Sequence, residues 1–144
     1  MLSKLTPQAF APLEALFKKG RFKEEFNIEL KLGGSHLCHI KVFTGRPPYY
    51  GPWAEVFNLS PSFVGSPWEL HVYCVLHRYM EPGDTLYVEY IEDRETFNAL
   101  RRGIPPEETR LGRLLAQCGF RIVKDWYFPE GWLEGGMKLQ AEKV

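Results

Sequence analysis

Two stretches of alternating apolar and polar residues, at positions 26–32 and 38–42, constrain the fold of this chain most strongly. Apolar side chains occupy the even positions of both stretches, and a glycine-rich turn segment at 33–35 lies between them. The pattern predicts an antiparallel hairpin in which each strand buries one face. A two-residue turn would set apolar positions opposite polar ones, whereas a three-residue loop sets Leu30 opposite Cys38. We predict the register of the three-residue loop, because it places the buried faces opposite each other.

Proline, glycine and capping residues divide the rest of the chain into short elements. Ser66, Pro67 and Glu69 form a capping-box pattern that begins a helix, and Pro105-Pro106 interrupts a later one. The predicted order is helix 7–19, strands 26–32, 38–42 and 53–59, helix 67–80, strand 85–91, helices 94–102 and 107–118, and strands 121–128 and 136–142. Strands alternate with helices only in the second half. The sequence therefore predicts an α+β fold with a mixed, mainly antiparallel sheet of about six strands flanked by helices, in one domain over residues 1–144.

Composition argues against several classes of protein. The 18 Lys and Arg residues balance the 18 Asp and Glu residues, so no net field attracts nucleic acid. No stretch approaches the ~18 uncharged apolar residues of a membrane span, and the first residues contain no apolar signal segment. The three cysteines, Cys38, Cys74 and Cys118, are odd in number and widely spaced, which predicts reduced thiols in a cytoplasmic protein.

Three potential metal ligands, His36, Cys38 and His39, lie close together in the sequence. On a regular strand His36 and Cys38 point to one face and His39 to the other, and no fourth ligand stands at metal spacing nearby. The sequence therefore predicts no metal site. Cys74 lies on a predicted helix that is apolar on most sides, which indicates a core thiol rather than a nucleophile.

The segment 111–141, LGRLLAQCGFRIVKDWYFPEGWLEGGMKLQA, resembles the end of a GNAT-type N-acyltransferase. It contains a helix that closes on a Gly-Phe pair, a strand, an aromatic-rich hairpin and a final strand of Met-Lys-Leu type. The element order over about residues 6–141 also resembles that superfamily from its second helix onward. The chain is similar as well to uncharacterised archaeal and thermophile proteins grouped with it. The resemblance implies a splayed central cleft, with the strands at 85–91 and 121–128 diverging, and transfer of an acyl group from coenzyme A to an amine.

The resemblance further implies that acetyl-coenzyme A, or another acyl-coenzyme A, places its pyrophosphate in the loop before the helix at 67–80. Gly65 and Ser66 are the matching residues, but Pro67 has no N–H group and Glu69 adds a carboxylate there. Four arginines around the proline break offer guanidinium groups to phosphate instead: Arg101, Arg102, Arg110 and Arg113. The alternative is a solvated helix face paired with neighbouring glutamates.

Acyl transfer requires that the amine lose a proton and that the departing thiolate gain one. Glu55, on the third predicted strand, is the candidate base, and the alternative for it is a strand carboxylate that faces water. The family often places a tyrosine acid at the position that is Leu115 in this chain. The role of the acid is therefore either vacant or taken by Tyr73, Tyr87 or Tyr90 from another direction. Tyr90 and Glu134 complete the catalytic candidates.

An aromatic and acidic segment at 125–136 and a proline-rich loop at 44–52 are the candidate substrate sites. Aromatic walls with carboxylates suit a cationic amine, either a small molecule or a peptide. The alternative is an aromatic hairpin that holds the sheet edge or a homodimer interface, in a catalytically silent binding module. The residues expected to contact the substrate are Tyr49, Tyr50, Tyr127, Glu130 and Trp132.

Overall fold

A six-stranded sheet organises the chain, with its strands in the order β1-β2-β3-β4-β6-β5. The computed structural model describes residues 26–32, 34–42, 54–127 and 138–144. The strands are β1 (Phe26–Leu32), β2 (Ser35–Val42), β3 (Ala54–Phe57), β4 (Thr85–Glu89), β5 (Phe120–Tyr127) and β6 (Lys138–Lys143). The helices are α1 (Pro67–Tyr79), α2 (Arg94–Arg101) and α3 (Arg110–Gln117), with a 3-10 turn at Pro106–Glu108.

These elements confirm the predicted α+β class and its mixed six-stranded sheet. Several boundaries differ from the prediction: β3 ends at Phe57 rather than at residue 59, and α3 begins at Arg110 rather than near residue 107. Its cap is Thr109, whose Oγ1 accepts a hydrogen bond from the Gly112 N–H at 3.1 Å. The helix predicted at 7–19, the loop at 44–52 and the tip of the aromatic hairpin lie outside the described residues.

The sheet contains one parallel pair among its described strands, β3 with β4. A parallel pair needs a crossover connection, which α1 provides. The strands that were expected to diverge, β4 and β5, are not neighbours, because β6 pairs with both of them. Pairing of β3 with β4 ends at Val56 and Val88, and beyond it the Asn58 N–H donates to the Glu89 side chain at 3.0 Å. A cleft that opens past this point stays a prediction.

The β1–β2 hairpin has the predicted register but reaches it through a different turn. Leu30 lies opposite Cys38, as the buried faces require. The turn itself contains two residues, since Leu32 pairs with Ser35, and the register shifts after Leu30. Leu37 is the extra residue that this shift leaves on β2, so the hairpin contains a β-bulge. The bulge lets a short turn coexist with matched buried faces.

This bulge corrects the expected orientation of the two histidines on β2. Residues paired across a ladder lie on the same face of the sheet. His36 pairs with Lys31 and His39 pairs with Glu29, two positions of β1 that share a face. Leu37 and its neighbour Cys38 are both buried. The histidines therefore lie on one face, because the extra residue at Leu37 reverses the alternation that a regular strand would have.

One hydrophobic core joins the buried face of the sheet to the helices. Its central strand positions are fully buried and belong to four neighbouring strands, so apolar area is removed from water across the width of the sheet. The opposite face of these strands is polar and only partly buried, and it is the surface on which functional groups can meet a ligand. The central core positions are Ile40, Val56, Leu86, Val88 and Leu139 on the strands, with Val72, Tyr73 and Leu76 on α1.

A disulfide bond between Cys74 and Cys118 corrects the prediction of separate reduced thiols. It ties α1 to the residue that follows α3, with Cα atoms 4.9 Å apart and a sequence separation of 44. Cys38 is the free cysteine, and burial raises the pKa of its thiol. Sequence spacing could not show the pairing, because it depends on how the two helices pack.

We expect Gly112→Ala to destabilise the protein by about 2 kcal/mol, since overpacking outweighs the roughly 1 kcal/mol that alanine gains in a helix. A Cβ atom at Gly112 would clash with the Pro106 carbonyl oxygen, which is backbone and cannot rotate away. Urea denaturation measures the effect, and Gln117→Ala, at an exposed position of α3, is the control. An unchanged midpoint for Gly112→Ala would contradict this close approach of α3 to the 3-10 turn.

Candidate functional site

The sheet face opposite the core carries ionisable side chains on five neighbouring strands. Paired positions put these groups side by side, with Glu29 opposite His39, Glu55 opposite Tyr87, and Glu89 opposite Lys138. Most of these side chains are partly buried, so their charges are screened less than at a free surface. We call this surface the polar sheet face, formed by Glu29, His39, Lys41, Glu55, Tyr87, Glu89, Lys138 and Gln140.

Glu55 occupies the centre of the polar sheet face, on the parallel pair of strands. Its carboxylate pairs with the ammonium group of Lys138, and the two side chains are only 15% and 13% exposed. Tyr87 is its partner across β3 and β4. Burial raises the pKa of Tyr87, and the negative charge of Glu55 raises it further. The predicted base thus lies beside both a cation and a protonated phenol.

Glu89 is a second carboxylate on this face that sequence reasoning missed. Burial raises its pKa, while the Asn58 N–H and the charge of Lys138 oppose the rise. Lys138, which pairs with Glu89 across β4 and β6, was also missed. The sequence gives only a weak indication of these two residues. Each occupies a polar position that alternates with buried apolar residues on its strand.

Two of the three tyrosines considered as the acid lie in the core instead. Tyr73 and Tyr90 are fully buried, and Tyr90 packs against Phe97 with ring centroids 6.4 Å apart. Burial raises the pKa of Tyr73, whose hydroxyl has no hydrogen-bond partner among the described residues. Tyr87 is therefore the candidate phenol that the structure brings next to Glu55.

The loop before α1 and the first turn of this helix, where the resemblance predicts a pyrophosphate, surround the buried carboxylate of Glu69 instead. Glu69 is 1% exposed, and its Oε1 accepts a hydrogen bond from the Gly65 N–H at 2.9 Å. The Ser66 hydroxyl donates to the Phe63 carbonyl oxygen at 2.7 Å and makes no cap bond, so the predicted capping box is not formed as such. Arg110 binds both Glu69 oxygens, at 2.9 and 2.8 Å. The Gly65 N–H and the Arg110 guanidinium, two donors that a pyrophosphate could use here, already serve this carboxylate.

Arg110 differs from the other three arginines that were grouped with it. It also donates to Asp93 Oδ2 at 2.8 Å, and Asp93 is 2% exposed. Desolvation and the two carboxylates act on Arg110 in opposite directions, and the net effect raises its pKa. Arg110 therefore stabilises the interior, whereas the predicted phosphate contacts that remain exposed are Arg101, Arg102 and Arg113.

Four of the five residues predicted to contact the substrate lie outside the described residues, and so does the catalytic candidate Glu134. The four are Tyr49, Tyr50, Glu130 and Trp132. The backbone of Tyr127 pairs with Leu139, between β5 and β6. In the part of the chain that the structure describes, the group suited to a metal ion is Glu29, His36 and His39. No helix within these residues is long and apolar enough to cross a membrane.

Residues 11–144 match the family described as "Protein of unknown function (DUF1122)". The chain is also similar to a solved structure, "Crystal Structure of a Protein of Unknown Function AQ1966 from Aquifex aeolicus VF5". The two are 46% identical, with a TM-score of 0.69, and the match covers 86% of this chain. It covers 64% of that protein, so this chain spans slightly less than two thirds of its length. No curated protein matches the chain.

Proposed function

The chain belongs to the DUF1122 family, whose function is unknown, and we propose that it transfers an acyl group to an amine on the polar sheet face, with Glu55 as the general base. The observation that carries the proposal is that the largely buried Glu55 pairs with Lys138 and lies opposite Tyr87. The mixed, mainly antiparallel six-stranded sheet and its final β5–β6 hairpin support the proposal, because the acyltransferase resemblance implies both.

Glu55 and Tyr87 supply the two proton transfers that aminolysis of an activated acyl group requires. The carboxylate of Glu55 accepts a proton from the attacking amine. The phenol of Tyr87, whose pKa burial raises, keeps its proton at neutral pH and can donate it to the leaving group. A cationic amine, small or at a peptide terminus, can replace the Lys138 ammonium beside Glu55 because it carries the same charge.

The acyl donor is expected to bind in a mode that does not use the N-terminus of α1. Glu69 accepts hydrogen bonds there from the Gly65 N–H and the Arg110 guanidinium, so the residues of this loop do not fit a pyrophosphate. The exposed Arg101, Arg102 and Arg113 are the proposed contacts for the phosphates of an acyl-coenzyme A.

We expect Glu55→Gln to lower turnover on the order of 10²-fold, because the amide cannot accept the proton of the amine. The measurement is thiol release from acetyl-coenzyme A in the presence of polyamines, amino acids and peptides. Glu55→Gln should leave the melting temperature within a few degrees of wild type, since the amide fills the same space. Glu95→Gln, an exposed carboxylate on α2, is the matched control and should keep full activity.

The outcomes of this assay separate the candidate bases. Equal turnover of wild type and Glu55→Gln would remove Glu55 from the reaction, and Glu134→Gln, run in parallel, then tests the next carboxylate. Glu55→Gln with normal activity but lower stability would mean that the pair with Lys138 is structural.

A second function, a catalytically silent module that binds a partner or dimerises, is favoured by one observation. The Glu69 carboxylate lies where a phosphate-binding protein would leave backbone N–H groups open. This function predicts no thiol release with any acceptor and no change in melting with acetyl-coenzyme A. Binding at a hundredfold excess over Kd would instead add about 2.7 kcal/mol. Sedimentation velocity then tests for the homodimer.

A further inference from the structure

Three side chains with metal-binding atoms converge at the β1–β2 end of the polar sheet face. The candidate ligand atoms of Glu29, His36 and His39 all lie within 4.8 Å of one another. We propose that these residues bind a divalent transition-metal ion of the zinc class. The proposal is independent of acyl transfer, because it rests on different side chains.

The β-bulge at Leu37 is the backbone feature that assembles this site. Without it, His36 and His39 would point to opposite faces of the sheet. With it, their ring centroids are 4.9 Å apart, and both rings lie on the face of Glu29. Bulges re-aim side chains in this way next to functional sites. The insertion costs one residue of regular pairing and brings two imidazoles together.

His36 has the hydrogen bonding of a metal ligand on one side of its ring. Its Nε2 lies 2.7 Å from the Asn58 carbonyl oxygen, which can only accept, so Nε2 carries the proton. In the metal-free protein Nδ1 donates to Glu29 Oε2 at 2.7 Å, and a metal ion bound between the two atoms would take the place of this proton. Metal-binding histidines commonly donate their other N–H to a backbone carbonyl, which fixes the tautomer and the ring orientation.

Asn58 positions the second histidine through its side chain. The Asn58 side-chain Nδ2 donates a hydrogen bond to His39 Nδ1 at 3.0 Å. A half-turn of this amide would place its oxygen there instead, so that the imidazole donates its Nδ1–H and keeps a lone pair on Nε2 for the metal. One asparagine thus contacts both histidines, by its carbonyl oxygen and by its side chain.

The backbone of Asn58 is held in a conformation that few residues adopt. Its φ is 54°, and it is the non-glycine residue with positive φ in the described part of the chain. Asparagine tolerates this region better than most residues, yet such conformations persist where surrounding contacts impose them. Here Glu89 accepts from the Asn58 N–H at 3.0 Å. The conformation directs the Asn58 carbonyl to His36 and its amide to His39 at once.

The ligand set selects the class of ion. Two imidazole nitrogens and one carboxylate oxygen suit zinc and related divalent metals, with a fourth position open to water. Tetrahedral ligands about 2.0–2.2 Å from the ion lie roughly 3.4 Å from one another. Binding therefore draws the three atoms together by rotation of side chains that are only partly buried. The Lys31 ammonium, 3.5 Å from Glu29 Oε1, is the competing partner that the ion displaces.

Calorimetric titration of chelator-treated protein with Zn²⁺ tests the proposal, and we expect one ion per chain. His39→Ala should weaken affinity at least tenfold, and Glu29→Gln, which keeps the shape of the side chain, should also weaken it. Asn58→Gly keeps the positive φ and the carbonyl but removes the amide, and a 10–100-fold loss is expected. His71→Gln, a histidine on α1 away from the site, is the control and should bind as wild type does.

The absorption of bound Co²⁺ is a second measurement of the site, and defined results would overturn the proposal. Co²⁺ in place of Zn²⁺ should give the visible absorption of a tetrahedral site, which His39→Ala loses. Absence of binding to wild type, or equal binding by a His36→Ala/His39→Ala variant, would overturn the site. Unchanged affinity of Asn58→Gly would overturn the positioning role of Asn58. The melting temperature of each metal-free variant, compared with that of wild type, shows whether a loss of binding reflects a loss of folding.

Discussion

Arg110→Met should lower the free energy of unfolding by about 3–5 kcal/mol, because it leaves two buried carboxylates without their cation. Glu69 and Asp93 are 1% and 2% exposed, and both accept hydrogen bonds from the Arg110 guanidinium. Methionine fills much of the same space, so the loss reports mainly the unpaired charges. Urea denaturation measures it as a lower midpoint with an unchanged slope.

Two variants show that the effect belongs to the buried cluster. Arg113→Met, at an exposed position of the same helix, should change stability by less than about 0.5 kcal/mol. Arg110→Lys keeps the positive charge but loses the planar guanidinium that binds both Glu69 oxygens, so its loss should be intermediate. A change below 1 kcal/mol for Arg110→Met would mean that water reaches these carboxylates.

Removing the Cys74–Cys118 disulfide should cost about 4 kcal/mol at 25 °C, by the chain-entropy estimate for a loop of this size. The bond closes a sequence separation of 44 residues that includes β4, α2 and α3, so its loss frees much of the unfolded chain. For a chain of 144 residues this corresponds to a melting temperature lower by roughly 10 °C. The comparison is wild type with and without reductant.

The double variant Cys74→Ser/Cys118→Ser distinguishes the disulfide from other effects of the reductant. It should melt near the reduced wild type and should not respond to reductant. Thiol titration of denatured wild-type protein should find one free cysteine, Cys38, before reduction and three afterwards. Three free thiols before reduction, with no effect of reductant on melting, would contradict the bond.

Local pattern was sufficient to predict the elements of the described residues and the hairpin register. Alternation set which face of β1 and β2 is buried, and burial dictates that Leu30 lies opposite Cys38. Pro67 and the proline-glycine segments marked where α1 and its neighbours begin and end. These features depend on residues close in sequence, so the α+β class could be predicted without the fold.

The sequence predicted individual functional residues, but it did not predict the residues with which they pair. Glu55 was identified as a candidate base, but Lys138 lies in the last strand and meets Glu55 only because β6 pairs with β4. Arg110 was assigned to phosphate, although it faces Glu69, 41 residues away in sequence. No sequence pattern encodes such pairs, because the packing of distant elements decides which charges share a buried site.

The bulge at Leu37 marks the boundary between what sequence and tertiary structure determine. The sequence alone determined the glycine turn and the buried faces of β1 and β2, two local requirements that a regular hairpin cannot satisfy together. Only the folded hairpin resolved the conflict, by leaving Leu37 out of the ladder. That choice placed His36 beside His39 and Glu29. The free energy of burying matched apolar faces exceeds that of one regular pairing, and this balance exists only when both strands pack on the core.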